Sequence, residues 1–326
     1  MIEKMKFKIS FFLALFLFMG TVFPETSFFI EPYTGFAYGS LNKYIFSRKG
    51  EKELSCLEWE TKPLFYAGAK LGFENEILEI FADCDVGLPK IVGKMYDSDF
   101  YYDSNYPDGN KCNYTIHDNE ALKNINTEIG FKYKSKISEK LSIKPSIQLQ
   151  YTYDSFVSKN GYGWYGRDAY STTGQNESYA SPYARKVKVL GVEYYRHTFY
   201  SWMGAELMIS PEIFGYKSLN ISLGVLISPF TYTSSMDHHL SKTGNDYHQQ
   251  EIEYSYLTRI KLNAMLNYRL NSKVSLNAGT SLIYGTLEKG DTYSDKNNSK
   301  GMEKINQKTG ADIMQLRTNL GCRLNF

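Results

Sequence analysis

After its first twenty residues the chain has no apolar run long enough to cross a bilayer as a helix, which argues against a helical membrane protein. Cysteine is scarce. Cys56, Cys84, Cys112 and Cys322 lie far apart and form no metal-type spacing, and Cys84 and Cys322 fall on apolar strand faces as small hydrophobes. Charge is nearly balanced, with 37 basic against 35 acidic residues and a net charge of +2, so nothing points to nucleic acid as a partner. No histidine–cysteine cluster suggests a metal, and no serine or cysteine nucleophile is evident, so no cofactor is expected.

Aromatic residues, by contrast, are abundant: they make up 16% of the chain, chiefly as 28 Tyr and 20 Phe. The N-terminus stands apart from the rest. Lys4, Lys6 and Lys8 precede an apolar run from Ile9 to Met19, followed by Gly20 and Thr21. A basic segment before a short apolar one is the pattern of a secretory signal. The expected organisation is a signal peptide over 1–22 and one closed domain over 23–326.

Beyond residue 27 the chain alternates with period two, the mark of strands with one apolar face. In 252–270 the residues Ile252, Tyr254, Ile260, Leu262, Leu266, Tyr268 and Leu270 share a face, opposite Glu253, Arg259, Lys261, Asn263 and Arg269. The final segment repeats this pattern from Met314 to Phe326. Strands are expected near 27–46, 54–74, 76–94, 119–135, 140–157, 186–209, 217–233, 250–270, 272–288 and 309–326. Each could cross a membrane at a tilt. Connections alternate between tight turns and longer polar loops at 47–53, 94–118, 158–184, 234–249 and 289–308. An even number of long strands with turns on one side and loops on the other describes an all-β, ten-stranded antiparallel transmembrane barrel with long outer loops. Charged inward residues such as Arg259, Lys261, Glu253 and Arg317 would fill so narrow a lumen, which argues against a pore.

Two acidic stretches carry candidate chemistry. Asp97-Ser98-Asp99 follows the third strand, and Asp237-His238-His239 follows the seventh. Residues i and i+2 of an extended chain share a face, so Asp237 can hold one nitrogen of His239 while the other faces a substrate. Connectivity alone puts both pairs on the outer rim. Glu79, Asp83 and Asp85 face inward, and the same odd-numbered register carries Asp97 and Asp99 inward. The second pair conflicts with its strand. Leu219, Ile221, Leu223, Val225 and Ile227 form the outward apolar set, so unbroken alternation would turn Asp237 and His239 outward unless a bulge intervenes, for which Ser228-Pro229 is a suitable place.

These stretches resemble the omptins, outer-membrane endopeptidases built on a ten-stranded barrel. Asp97-Ser98-Asp99-Phe100 resembles the family's Asp-x-Asp-Trp, with Phe in place of Trp, and Asp237-His238-His239 resembles its Asp-x-His. Leu57-Glu58-Trp59 is similar to its Leu-Asp-Trp. Lys289 to Thr292 and Gly310 to Phe326 match its last loop and last strand. The resemblance implies an endopeptidase of the bacterial outer membrane with its site facing outside. Asp97 and His239 would hold a water, Asp237 would orient His239, and Asp99 would bond Asp97. The implied partners are peptides or proteins at the cell surface and outer-membrane lipid such as lipopolysaccharide. The family's acidic residues that favour basic side chains are missing: Ser235 takes one position, and Asn42 or Lys43 the other. Tyr153 stands near the family's lipid-contacting Arg, and Arg196 is expected as an inward structural residue. His117, Asp118 and His248 are expected to be solvated and His197 to bond locally, with Gly161 to Gly166 as a surface loop. The second functional reading is a barrel that kept the fold without proteolysis, as an adhesin or structural protein.

Overall fold

The computed structural model of the protein describes residues 26–210, 218–240, 248–295 and 303–326. The expected signal segment lies outside them. The chain runs through β1 (Ser27–Phe46), β2 (Glu53–Glu74), β3 (Leu78–Gly87), β4 (Lys90–Tyr101), β5 (Asn110–Tyr133), β6 (Ser135–Ser138) and β7 (Leu141–Tyr165). It continues with β8 (Arg185–Val189), β9 (Val192–Ile209), β10 (Leu219–His239), β11 (His248–Ser255), β12 (Arg259–Arg269), β13 (Val274–Asp295) and β14 (Glu303–Asn325). Antiparallel pairing leads from β1 through β2, β3 with β4, β5, β7, β9, β10, β11 with β12, and β13 to β14. Pairing of β14 with β1 closes this into a ring of ten strands, because β3 with β4 and β11 with β12 each act as one interrupted strand. Closure pairs each of the ten ring strands on both sides.

Several strands run further than the alternation suggested. Positions 94–101, 110–118, 158–165 and 234–239, expected in loops, are strand residues paired to their neighbours. The outward face carries exposed Leu71, Val86, Ile129, Ile147, Met203, Leu223, Leu266 and Leu316, an apolar surface of the kind that faces lipid. The inward face carries charge. Arg317 pairs with Asp85 at 2.6 Å, Lys132 with Glu206 at 2.6 Å, and Lys261 with Glu128. These charges are paired because an unpaired ion there would be costly to desolvate.

Between this lumen and the end of the ring away from the termini lies an apolar layer. Leu41, Leu57, Trp59, Met95, Phe156, Tyr194, Trp202 and Leu226 are all essentially buried. Trp59 stacks between Phe156 (5.8 Å) and Tyr194 (5.2 Å).

A belt of irregularities crosses three consecutive ring strands. On β10, Ile227 to Phe230 spans three steps while β9 covers two, Met203 to Ser201. Beside it β11 and β12 are separated at Leu257, with φ 57°, and its amide donates to the Ser228 carbonyl at 3.1 Å. On β13, Gly285 to Glu288 spans three steps against two on β14. One extra residue reverses which side chains point inward. Below the belt Leu223, Val225 and Ile227 are exposed; above it Thr231, Thr233, Ser235 and Asp237 are buried. Glu288 anchors the belt, bonding Arg259 at 2.7 Å as well as Ser255 and Thr258. A Cβ at Gly285 would lie 1.7 Å from the Arg259 guanidinium, so a side chain there would displace the arginine that Glu288 holds.

Glu288→Ala would strand the buried Arg259 cation. The expected cost is about 3–5 kcal/mol, measured by urea unfolding of the refolded protein in detergent.

Candidate active site

The belt places Asp237 and His239 on the inner face of β10, which resolves the conflict in its alternation. Asp97 and Asp99 also face inward, by a less direct route than expected. Gly87 and Val92 are both inward-facing although five residues apart, and so are Val92 and Met95, three apart. The first irregularity falls at the Leu88-Pro89 break and the second at Gly93, φ 155°. The two cancel, which restores the odd-numbered register at Asp97.

All four sequence-derived candidates, Asp97, Asp99, Asp237 and His239, thus meet in the open end of the ring. A cleft of about 510 Å³ is lined by Asp97, Asp99 and His239 together with Lys43, Ser55, His117, Tyr165 and Arg167. Asp237 forms its buried backing, with no exposed surface. The cleft stands clear of the lipid-facing band: on β1, Lys43 lies five residues beyond the outward Tyr38, about 16 Å at strand rise.

The two carboxylate groups differ in character. Asp237 is clasped on both oxygens, with Lys43 Nζ 2.6 Å from Oδ1 and His239 Nε2 2.7 Å from Oδ2. Burial works against its charge, but the Lys43 ammonium and the His239 imidazole hold its carboxyl well below the usual carboxylate range. Asp97 behaves oppositely. Burial and the adjacent Asp99 push it well above that range, against the Lys43 ammonium and a hydrogen bond from the Ser55 hydroxyl at 3.4 Å. Asp99 accepts a hydrogen bond from the Asn113 side-chain amide at 3.1 Å. One cleft therefore holds an ionised carboxylate beside an imidazole and a carboxyl that keeps its proton more readily.

Several residues belong here that the sequence reading left out or placed elsewhere. Lys43, considered only as a non-acidic replacement, is the buried partner of Asp237. His117, expected in solvent, lies 97% buried (3% exposed) in the cleft wall. Burial draws it down to about 4, and its Nε2 is 2.9 Å from the Thr115 hydroxyl. The ring packs against the backbone of Gly161, where a Cβ would come within 2.1 Å. The segment from Gly161 to Tyr165 continues β7 rather than forming a loop, and Gly166 follows as a bend. Its Tyr165 reaches the cleft, and burial with Asp97 and Asp99 pushes that phenol up to about 12. Trp164, on the other face, stacks on Tyr114 at 6.2 Å. The signal for His117 and Tyr165 was parity: both share the odd-numbered inward register of Thr115 and Gly163.

Other candidates fall away from the cleft. Arg196 is buried beneath it and donates to the carbonyls of Asn42 and Asp312 at 3.2 and 3.3 Å. His197 faces outward against the Tyr151 hydroxyl at 2.7 Å. Asp118 is at the surface, bonded to Lys94 at 2.6 Å. The side chain of His248 lies outside the described residues. Among the described residues, no group of three or more His, Cys, Asp or Glu gathers as a metal site.

Comparisons with known proteins agree with this architecture. The outer-membrane protease OmpT from Escherichia coli superimposes with a TM-score of 0.77 at 13% identity, over 92% of this chain and 97% of that one. The translocator domain of the autotransporter NalP from Neisseria meningitidis aligns with a TM-score of 0.37 at 10% identity, over 92% and 88%. The first likeness establishes the fold, and the second is too weak to carry weight. No curated protein matches the sequence. A model of the Omptin family matches residues 26–326, and a match of that extent makes the chain a member of the Omptin family and a protein of the bacterial outer membrane.

Proposed function

We propose that the chain is an endopeptidase that hydrolyses peptides at the cell surface, using a water held between His239 and the Asp97–Asp99 pair. The observation that carries this reading is the pairing of an ionised Asp237 beside His239 with a proton-retaining Asp97 in one open cleft. His239 takes a proton from the water as it attacks the scissile carbonyl. Asp237 holds the other edge of the imidazole and stabilises the charge it gains, an arrangement contributing about 10²–10⁴-fold. Asp97 holds the water from the other side and offers its proton where negative charge develops. The hydroxyl and amide of Ser55 and Asn113 steady the acidic pair. The apolar layer around Trp59 closes the cleft from below, so substrate enters from outside, and the single domain over 23–326 anchors it in the outer membrane.

The reading makes two linked demands on Asp97. Asp97→Asn should lower peptide cleavage by about 10²-fold or more. A carboxyl raised on folding lends stability only below the ordinary carboxylate range and loses it as pH climbs through its folded value. Asp97→Asn should therefore grow more stable relative to the wild type as pH rises above that range. Urea unfolding at several pH values reads the second effect, and cleavage of a peptide library with and without lipopolysaccharide reads the first. Full activity in Asp97→Asn would end the proposal.

Specificity follows from the residues in and behind the cleft. Ser235 is buried on the inner face two residues before Asp237, and Lys43 in the lining is a cation rather than an anion. A subsite for arginine or lysine needs a compensating carboxylate. Cleavage should therefore show little preference for basic side chains, as read by mass spectrometry of products. Wild-type cleavage concentrated at Arg or Lys would overturn this. Absence of cleavage in the wild type, with none gained by Ser235→Asp, would favour a non-proteolytic barrel.

A further inference from the structure

Lys43 and Asp237 belong to strands that are not neighbours. β1 is flanked by β2 and β14, while β10 is flanked by β9 and by β11 with β12. The 2.6 Å contact therefore crosses the inside of the ring. Both side chains are sealed, at 2% and 0% exposure. On β1, Lys43 follows Leu41 on the inward face, and its ammonium reaches one oxygen of the carboxylate. His239, at 23% exposure, reaches the other oxygen from the cleft side.

This geometry bears on which group serves as the counter-ion of Asp237. A fully buried carboxylate must be compensated. Without the lysine, the cation at hand would be a protonated His239, and an imidazole held protonated cannot accept a proton from water. With Lys43 in place the carboxylate is already neutralised. Its second oxygen can then orient the imidazole without demanding a proton on it. We propose that Lys43 is a positioning residue of the Asp237–His239 pair: it serves as the counter-ion, crosses the ring to fix the carboxylate, and spares the His239 imidazole that role.

The other described charged or titratable groups facing His239 do not supply that role. Asp97 and Asp99 come from β4 and are acidic. His117 from β5 is neutral above about 4, and Tyr165 from β7 is neutral to about 12. Arg167 lies beyond the end of β7 at the exposed rim. His238 and Glu193 contact each other at 3.4 Å on the opposite face of β10 and β9.

The catalytic consequence rests on the peptidase reading, but protonation of His239 is measurable without substrate. The mature chain, refolded in detergent with labelled histidine, is titrated by NMR as wild type, Lys43→Gln and Lys43→Arg, with the His239 signal assigned by its loss in His239→Gln. In Lys43→Gln the His239 midpoint should rise by about one pH unit or more, since a neighbouring cation has been removed. In Lys43→Arg, which keeps the charge, it should stay within about 0.3 units of the wild type. A merely structural lysine would leave the midpoint where it was in every variant that folds. Lys43→Met supplies the same reading with an apolar chain of similar length if Lys43→Gln does not refold. An unchanged or lowered midpoint in a folded neutral variant overturns the proposal. The two readings separate cleanly. A raised midpoint in a protein that cleaves no peptide upholds the role of Lys43 and sinks the peptidase. Cleavage with an unmoved midpoint does the reverse.

Discussion

Alternation in a closed sheet is the constraint on which everything else depends. In a ring of ten strands each side chain faces either the inside or the outside, and a shift of one residue exchanges the two sets. Asp97, Asp237 and Lys43 come from three strands that do not pair with one another, and they meet only because all three point inward at one level. β1 manages this in its simple odd-numbered register. β4 manages it through two irregularities that cancel, and β10 only through the bulge between Ile227 and Phe230. The belt through Leu257 and Glu288 is thus a condition for the site and not an ornament of the fold. It lets the lower part of β10 turn Leu223, Val225 and Ile227 to lipid while the upper part turns Asp237 inward.

The same inward set that fills the lumen with charge also makes the cleft possible. Below the apolar layer, several arginines and lysines are matched to carboxylates, and the matching suppresses chemistry at those ions. Above the layer the matching is uneven. Asp97 and Asp99 sit together, relieved by Ser55, Asn113 and the more distant Lys43, and Asp97 keeps its proton more readily. Asp237 has two partners for its two oxygens. Unequal sharing of counter-charge, more than the identity of any single residue, separates an acid from a base within one cleft.

Much of this was legible in the sequence. Period-two alternation fixed the strands, because a lipid-facing surface must be apolar at every second residue. The spacing of Asp97-Ser98-Asp99 and of Asp237-His238-His239 located the acidic stretches, because i and i+2 share a face whether the segment is called strand or loop. What alternation could not show was where the strands ended. Above the lipid band the outward face is no longer apolar. Tyr96, Tyr114 and Trp164 alternate there with polar residues on both sides, and residues 94–118 and 158–165 read as loop. His117 and Tyr165 were lost with them. Lys43 was hidden for a different reason. Its partner lies 194 residues away across the ring, a distance over which local pattern carries no information.

The sign of the charge at Lys43 has a consequence for how such a cleft can change over time. A carboxylate at that position would stand beside Asp237 and raise the cost of ionising it, so the imidazole would have to carry the compensating proton. A lysine removes that demand but brings a buried cation that needs Asp237 as much as Asp237 needs it. Removing either partner alone leaves a buried ion unpaired, at a cost of about 3–5 kcal/mol. A change at position 43 is thus tied to the charge on Asp237 and to the protonation of His239, and these three residues have to be altered together.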